Sequence, residues 1–280
     1  MSRGPEYDLD PDGHLREVVG PWALEKHQRI CAYIASAWGA RKKYIDWGVG
    51  ATYTELFCGP GRIRIRDTQT VAAGSVVRAW QESLRVGKAP FTEIHIGDLD
   101  PRLLTAAVQR LGGNAPVKPY EGPAAETVRN VVANLNPLGL HLAFLDPHNL
   151  EALEFSIIER LAEFKHMDII VHVSVSDQTR NWDTYIDSAH SALDAFAPRW
   201  RERVDTFRGR RVARRKLFEY WRTLVESTGL RVSRVVHEVR NTRRVPLYWL
   251  LLLSRHPLPD KLWATATGGK SKQQELFGDC

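Results

Sequence analysis

Five short strand-like segments, with a helical segment between each and the next, fill residues 52–175 and leave few ways to fold. The strands are expected at Thr52–Phe57, Phe91–Gly97, Pro116–Tyr120, Leu140–Leu145 and Met167–Val175, and the helices at Gly74–Arg85, Pro101–Leu111, Ala124–Leu135 and Leu150–Phe164. Strands linked through helices run parallel, because each crossover returns the chain to the same edge. The crossovers are right-handed and cover both faces of the sheet. The expected fold is therefore α/β, a doubly wound and mostly parallel sheet.

The flanks complete the plan. Trp22, Lys26, Ile30, Tyr33 and Ala37 recur at helical spacing, which predicts a helix over Trp22–Ala40. After the fifth strand come a polar, basic stretch, Ser176–Lys216, and an amphipathic helix to Ser227. Val232–Val239 and Leu247–Ser254 lie close enough to pair antiparallel. A parallel sheet finished by an antiparallel pair is the Rossmann-like pattern expected of class I methyltransferases rather than of nicotinamide dehydrogenases. Residues 1–20 show no periodicity and read as a disordered or loosely packed lead-in. The domain is expected over 21–256, with an insertion at 176–227, and 257–280 as a C-terminal segment and flexible tail.

Composition narrows the setting. The longest apolar run, Tyr248–Leu253, is far short of the ~20 residues of a membrane helix, so no membrane partner is expected. Cys31, Cys58 and Cys280 form neither a disulfide framework nor a zinc-type pair, which points to a reducing cytoplasm and no metal. The net charge of +6 is concentrated: Arg199–Lys216 holds nine Arg/Lys against two acids.

In such sheets ligands bind beyond the carboxyl ends of the strands. The first strand ends in Glu55-Leu56-Phe57-Cys58-Gly59-Pro60-Gly61, where glycines admit close approach of a nucleoside; a plain turn is the alternative. Asp98 ends the second strand and is placed to accept from ribose hydroxyls, while Asp100 before Pro101 suits a helix cap and leaves Asp98 free for ligand. Glu121-Gly122, after the third strand, is where adenine recognition is expected. Asp146-Pro147-His148-Asn149 follows the fourth strand; methylation of an amino group needs such a carboxylate to orient the nitrogen and offset its developing charge, and a structural cap is the other reading.

Taken together, Pro21-Trp22, Lys26-His27, Glu55 through Gly61, Gly74-Ser75, Asp98 and Asp146-Pro147 resemble the three-Cys-motif partner proteins, TcmP, over about Trp22–Ser254. The resemblance implies as partner a radical-enzyme-like (radical-SAM-like) protein carrying a three-cysteine motif. More distantly, the same positions are similar to RlmJ-type rRNA adenine methyltransferases. Carried over, that similarity implies S-adenosylmethionine as cofactor, with Lys26, His27, Glu55, Phe57, Gly59, Gly61, Ser75, Asp98, Glu121 and Gly122 around it. It implies Asp146 as the catalytic carboxylate, with His148 and Asn149 completing the loop. That loop departs from the Asp-Pro-Phe-Gly of TcmP proteins and the Asp-Pro-Pro-aromatic of the methyltransferases. From spacing alone, Lys26-His27 reads as a solvated pair on a helix, and the resemblance is what makes it a site.

Two features lie outside this core. Arg199, Arg201, Arg208, Arg210, Arg211, Arg214, Arg215 and Lys216, interleaved with Trp200 and Phe207, suit a nucleic-acid backbone with stacked bases, or else form a solvated face. Gln273, Leu276 and Phe277 in the C-terminal tail resemble the Gln-x-x-Leu-Phe peptides that bind the bacterial sliding clamp; the alternative is a pair folded back on the core. Two functions follow as expectations: methylation of nucleic-acid amino groups, or a non-catalytic module that positions the three-Cys-motif partner on DNA or RNA during modification or repair.

Overall fold

The computed structural model describes residues 5–207 and 209–268. The chain opens with a hairpin of β1 (Glu6–Leu9) and β2 (Leu15–Val19), followed by α1 (Trp22–Ser36) and α2 (Trp38–Asp46). After β3 (Ala51–Glu55) come two short strands, β4 (Arg62–Ile65) and β5 (Val71–Ala73), and then α3 (Ser75–Arg85). Three strand–helix pairs follow: β6 (Glu93–Asp98) with α4 (Pro101–Leu111), β7 (Val117–Glu121) with α5 (Ala124–Asn134), and β8 (Leu140–Leu145) with α6 (Phe155–Leu161). Next, β9 (Met167–Ser174) passes directly into α7 (Val175–Asp187), and α8 (Ala192–Phe196) and α9 (Arg210–Ser227) complete the insertion. The chain closes with β10 (Arg231–Val232), β11 (His237–Arg240), β12 (Pro246–Ser254) and α10 (Pro257–Thr267).

The main sheet has the order β10-β12-β9-β8-β3-β6-β7, with β11 also paired to β12. β3, β6, β7, β8 and β9 run parallel, and β12 enters antiparallel beside β9. The strand order reverses at β3, so a crevice opens beyond its carboxyl end and those of β8 and β9. Alternate residues of each central strand serve opposite cores, as the two-residue period of a strand requires. Leu142, Phe144, Ile170, Leu250 and Leu252 face the α1, α3, α4 and α10 side, where Ile30, Val76, Leu104 and Trp263 are buried. Ala143, Leu145, Ile169, Val171 and Leu251 face Val128, Ile157, Leu217 and Trp221 of the other helices.

Several expectations are corrected. Residues 6–19, read as a loose lead-in, are a hairpin in a second sheet of order β1-β2-β4-β5. Its cohesion comes from Arg16 within the hairpin and from arginines far along the chain: Asp8 pairs with Arg16 and Arg64 at 2.6 and 2.7 Å, and Asp10 with Arg16 and Arg110 at 2.7 and 3.2 Å. The helix expected over Trp22–Ala40 breaks at Ala37 into α1 and α2. The helix expected from Leu150 starts at Phe155, and the segment Val232–Val239 is split into β10 and β11. Residues 257–267, grouped with the tail, form a helix whose Trp263 is fully buried, 6.1 Å from the Tyr33 ring and donating to Val235 O at 3.0 Å. Arg208 and the anchors Gln273, Leu276 and Phe277 lie outside the described residues. No helix among the described residues is long and apolar enough to cross a membrane.

Candidate functional site

The turn after β3 takes its shape from glycines. Gly59 and Gly61 have φ of 55° and 72°, a region that residues with a Cβ avoid. Gly74 packs on this turn, donating to Gly61 O at 2.8 Å, and a Cβ on it would stand 2.8 Å from the Gly61 carbonyl carbon. Asp98 fixes the turn from the next strand by accepting from Gly59 N at 2.9 Å and from Asp100 N at 3.0 Å. Asp98 is thus tied to the protein backbone, each carboxylate oxygen taking one N–H and keeping a further acceptor position. Asp100 caps α4, as expected, by accepting from Arg102 N.

Glu55 lies beneath this turn, fully buried, accepting from Tyr53 Oη at 2.7 Å and from Ser75 Oγ. Burial pushes its carboxyl up to about 8, against the pull of Ser75 and Tyr53. Folding therefore favours its protonated form. The stability it contributes is complete below the ordinary carboxylate pKa and is lost as pH rises through about 8. Asp168, buried beside Tyr33 and pushed up to about 7, adds to the same slope. Glu55→Gln is expected to flatten the decline in stability between about pH 5 and 9 by on the order of 4 kcal/mol, leaving the Asp168 part, as read from urea unfolding across pH.

Beyond the strand ends is a cavity of about 730 Å³, within the size of small-molecule and cofactor sites. Of the residues expected around a cofactor, Lys26, His27, Phe57, Gly59, Gly61 and Ser75 line it. Glu55, Asp98, Glu121 and Gly122 do not; Glu121 is exposed at the end of β7, and Gly122 donates to Asp98 O at 3.0 Å. Asp146, His148 and Asn149 line the same cavity.

Asp146 forms an ion pair with Lys26 of α1, and His172 of β9 places Nδ1 2.9 Å from its other oxygen. Burial alone would raise the Asp146 carboxyl, but Lys26 and His172 outweigh it and hold the group well below the ordinary carboxylate range. Burial keeps His172 neutral, and the Tyr248 ring meets its edge at 4.2 Å. His27 is also buried and pushed down to about 3, first by burial and then by Lys26. Its Nδ1 is buried and has no hydrogen-bond partner among the described residues.

Three wall elements were not foreseen: Glu17 of β2, His172 of β9, and one face of α7 with Asp177, Arg180, Asn181 and Tyr185. The α7 residues recur at three- and four-residue spacing, which marks a helix face, but Ser176 onward lacks the apolar stripe that made the other helices legible.

The basic segment borders that wall. Arg210 of α9 pairs with Asp183 of α7, and Arg214 donates to Gln178 at 3.1 Å. Arg199 pairs with Glu202 at 2.7 Å, and Arg215 and Lys216 with Glu219 at 2.9 and 2.8 Å. Arg201 donates to Ser188 O at 2.6 Å and stacks 4.5 Å over Trp200, and Arg211 is engaged as well. Acids outside the segment thus neutralise part of the charge that the sequence left unmatched. Phe207, 99% exposed, stands between the basic residues.

No protein-family model matches the sequence, and no curated protein matches it. Among solved structures, protein LPL1258 from Legionella pneumophila aligns at TM-score 0.49 and 13% identity over 88% of this chain and 94% of its own. Cofactor-bound Rv0187 from MTB aligns at 0.46 and 14% over 83% and 80%. The SAH-bound Podospora anserina methyltransferase PaMTH1 aligns at 0.38 and 16% over 78% and 75%. These likenesses are distant. The strand order itself, parallel with one antiparallel strand inserted beside β9, makes the sheet Rossmann-like.

Proposed function

We propose that this protein is an S-adenosylmethionine-dependent methyltransferase acting on an amino group of a nucleic acid. The observation that carries the reading is the meeting, in one cavity, of the glycine turn after β3 with an ionised Asp146 after β8. The cofactor fits the residues present: at Gly59 the Cβ position is open, with only Glu17 within 4 Å of it among the described residues, and the polar Lys26, His27 and Ser75 line the same cavity. Bound there, it supplies an electrophilic methyl group on a sulfonium that becomes a neutral thioether on transfer.

The chain's own residues do the rest. A carboxylate has about four acceptor sites, so with Lys26 and His172 beside it Asp146 still has capacity to accept from a target amine. Those two neighbours hold it ionised, so it orients the nitrogen and offsets the positive charge that develops there, while the surplus proton passes to water. The Arg/Lys of α9 border the substrate wall through α7, and their exposed ion pairs are weak enough to exchange for phosphates. Phe207 adds a surface on which a base can stack.

A second reading is favoured by one departure. His148 and Asn149 stand where related nucleic-acid methyltransferases carry a proline and an aromatic ring, which suits a module that binds cofactor and nucleic acid without turnover. The TcmP resemblance then makes its task the positioning of a three-Cys-motif partner. Mass spectrometry of nucleosides from DNA and RNA incubated with the protein and methyl-labelled cofactor separates the two. A labelled N-methyl base supports the enzyme; cofactor and nucleic-acid binding without any labelled base supports the module.

A further inference from the structure

Glu17 reaches the cavity from outside the α/β core. It lies on β2 opposite Ile63 in the parallel pairing with β4, the strand that leaves the glycine turn. Its carboxylate stands over that turn, with Oε2 3.9 Å from where a Cβ on Gly59 would be. Among the described residues no hydrogen bond or ion pair takes up its oxygens. Burial pushes its carboxyl above the ordinary range, against the pull of His148 and Lys26 and with the negative charges of Asp146 and Asp98 adding to the rise. A half-buried carboxyl without a donor is unfavourable, and this one faces a cavity large enough for a ligand.

We propose that Glu17 receives a cationic group of the cofactor above the glycine turn, so that the amino-terminal hairpin forms one wall of the cofactor site. This rests on the cofactor reading given above. Glu17 lines the cavity together with the glycine turn and Asp146, so its carboxylate is offered to the methionine portion, the part of the cofactor that carries the methyl group. That portion carries two cations, the sulfonium and the α-ammonium, and either satisfies a lone carboxylate. Tyr7 of the same hairpin is within electrostatic reach of Glu17 and Asp98.

Calorimetry of the full chain and its Glu17→Gln variant against three ligands tests the assignment. S-adenosylmethionine has both cations, S-adenosylhomocysteine only the ammonium, and 5′-methylthioadenosine neither. The variant is expected to bind S-adenosylmethionine about ten- to a hundredfold more weakly, the range for a hydrogen bond to a charged group. Its affinity for 5′-methylthioadenosine should be unchanged, which also shows that the variant is folded. An equal loss for S-adenosylhomocysteine assigns the ammonium; no loss assigns the sulfonium. If the wild type binds S-adenosylmethionine and the variant binds it equally well, or loses 5′-methylthioadenosine to the same extent, the role of Glu17 is wrong while the cofactor reading stands. A wild type that binds none of the three overturns both.

Discussion

Lys26→Met is expected to destabilise the protein by about 3–5 kcal/mol and to abolish turnover, because it strands a buried carboxylate. Both partners are shielded, with side-chain exposures of 14% for Lys26 and 15% for Asp146, so water does little to screen the loss. In the wild type His172 is held neutral, chiefly by burial and in part by Lys26 itself. The double variant Lys26→Met with Asp146→Asn is expected to recover most of the stability and none of the activity, since replacing both partners removes the stranded charge and the acceptor together. Asp146→Asn alone is expected to keep cofactor affinity and to lower turnover by about a hundredfold or more, because the amide no longer offsets charge on the nitrogen. Urea titrations of the four proteins, with methyl-transfer rates, check this. Additive losses of stability would mean that the two groups are not coupled.

The second large effect is expected at the hairpin. Asp10 is 3% exposed and is the point where Arg16, Arg62 and Arg110 converge. Arg110 also donates to Leu15 O at 2.6 Å and to Pro60 O at 2.8 Å, which ties the hairpin to the glycine turn. Asp10→Ala leaves cations facing one another with their counter-ion gone, and a loss of about 3 kcal/mol is expected. Hydrogen exchange reports it locally: amides of β1 and β2 should lose protection while those of β8 and β9 keep theirs. Cofactor affinity should fall with them, since Glu17 rides on β2. Unchanged protection in β1 and β2 would show that the arginine network does not hold the hairpin.

The sequence made legible whatever depends on local pattern. The strand–helix alternation placed β3, β6, β7, β8 and β9 within a residue or two, because parallel strands buried on both faces read as apolar runs. The positions after those strands gave the glycine turn and Asp146, and the resemblance added Lys26-His27, which the fold brings 120 residues back to Asp146. Contacts made through space were not legible. The hairpin looked like a loose leader because its charged strands are held largely by Arg62, Arg64, Arg66 and Arg110, with only Val18 and Val19 packed as apolar residues among those described. Glu17 was missed with it. His172 sits in a β-branched run that reads as core, and only the register of β9 against β12 and β8 turns it toward Asp146. The backbone contacts of Asp98 were not legible because nothing in its neighbourhood shows that the Gly59 N–H folds back onto it. The charge of residues 199–216 looked unmatched because Asp183 lies on another helix.

The most direct test of the account is a calorimetric titration of the full-length protein with S-adenosylhomocysteine. The account expects one site per chain, with affinity on the order of micromolar, that weakens in Glu17→Gln if the ammonium is the group recognised and persists in Asp146→Asn. No heat of binding at millimolar ligand, with the protein shown to be folded, would contradict it.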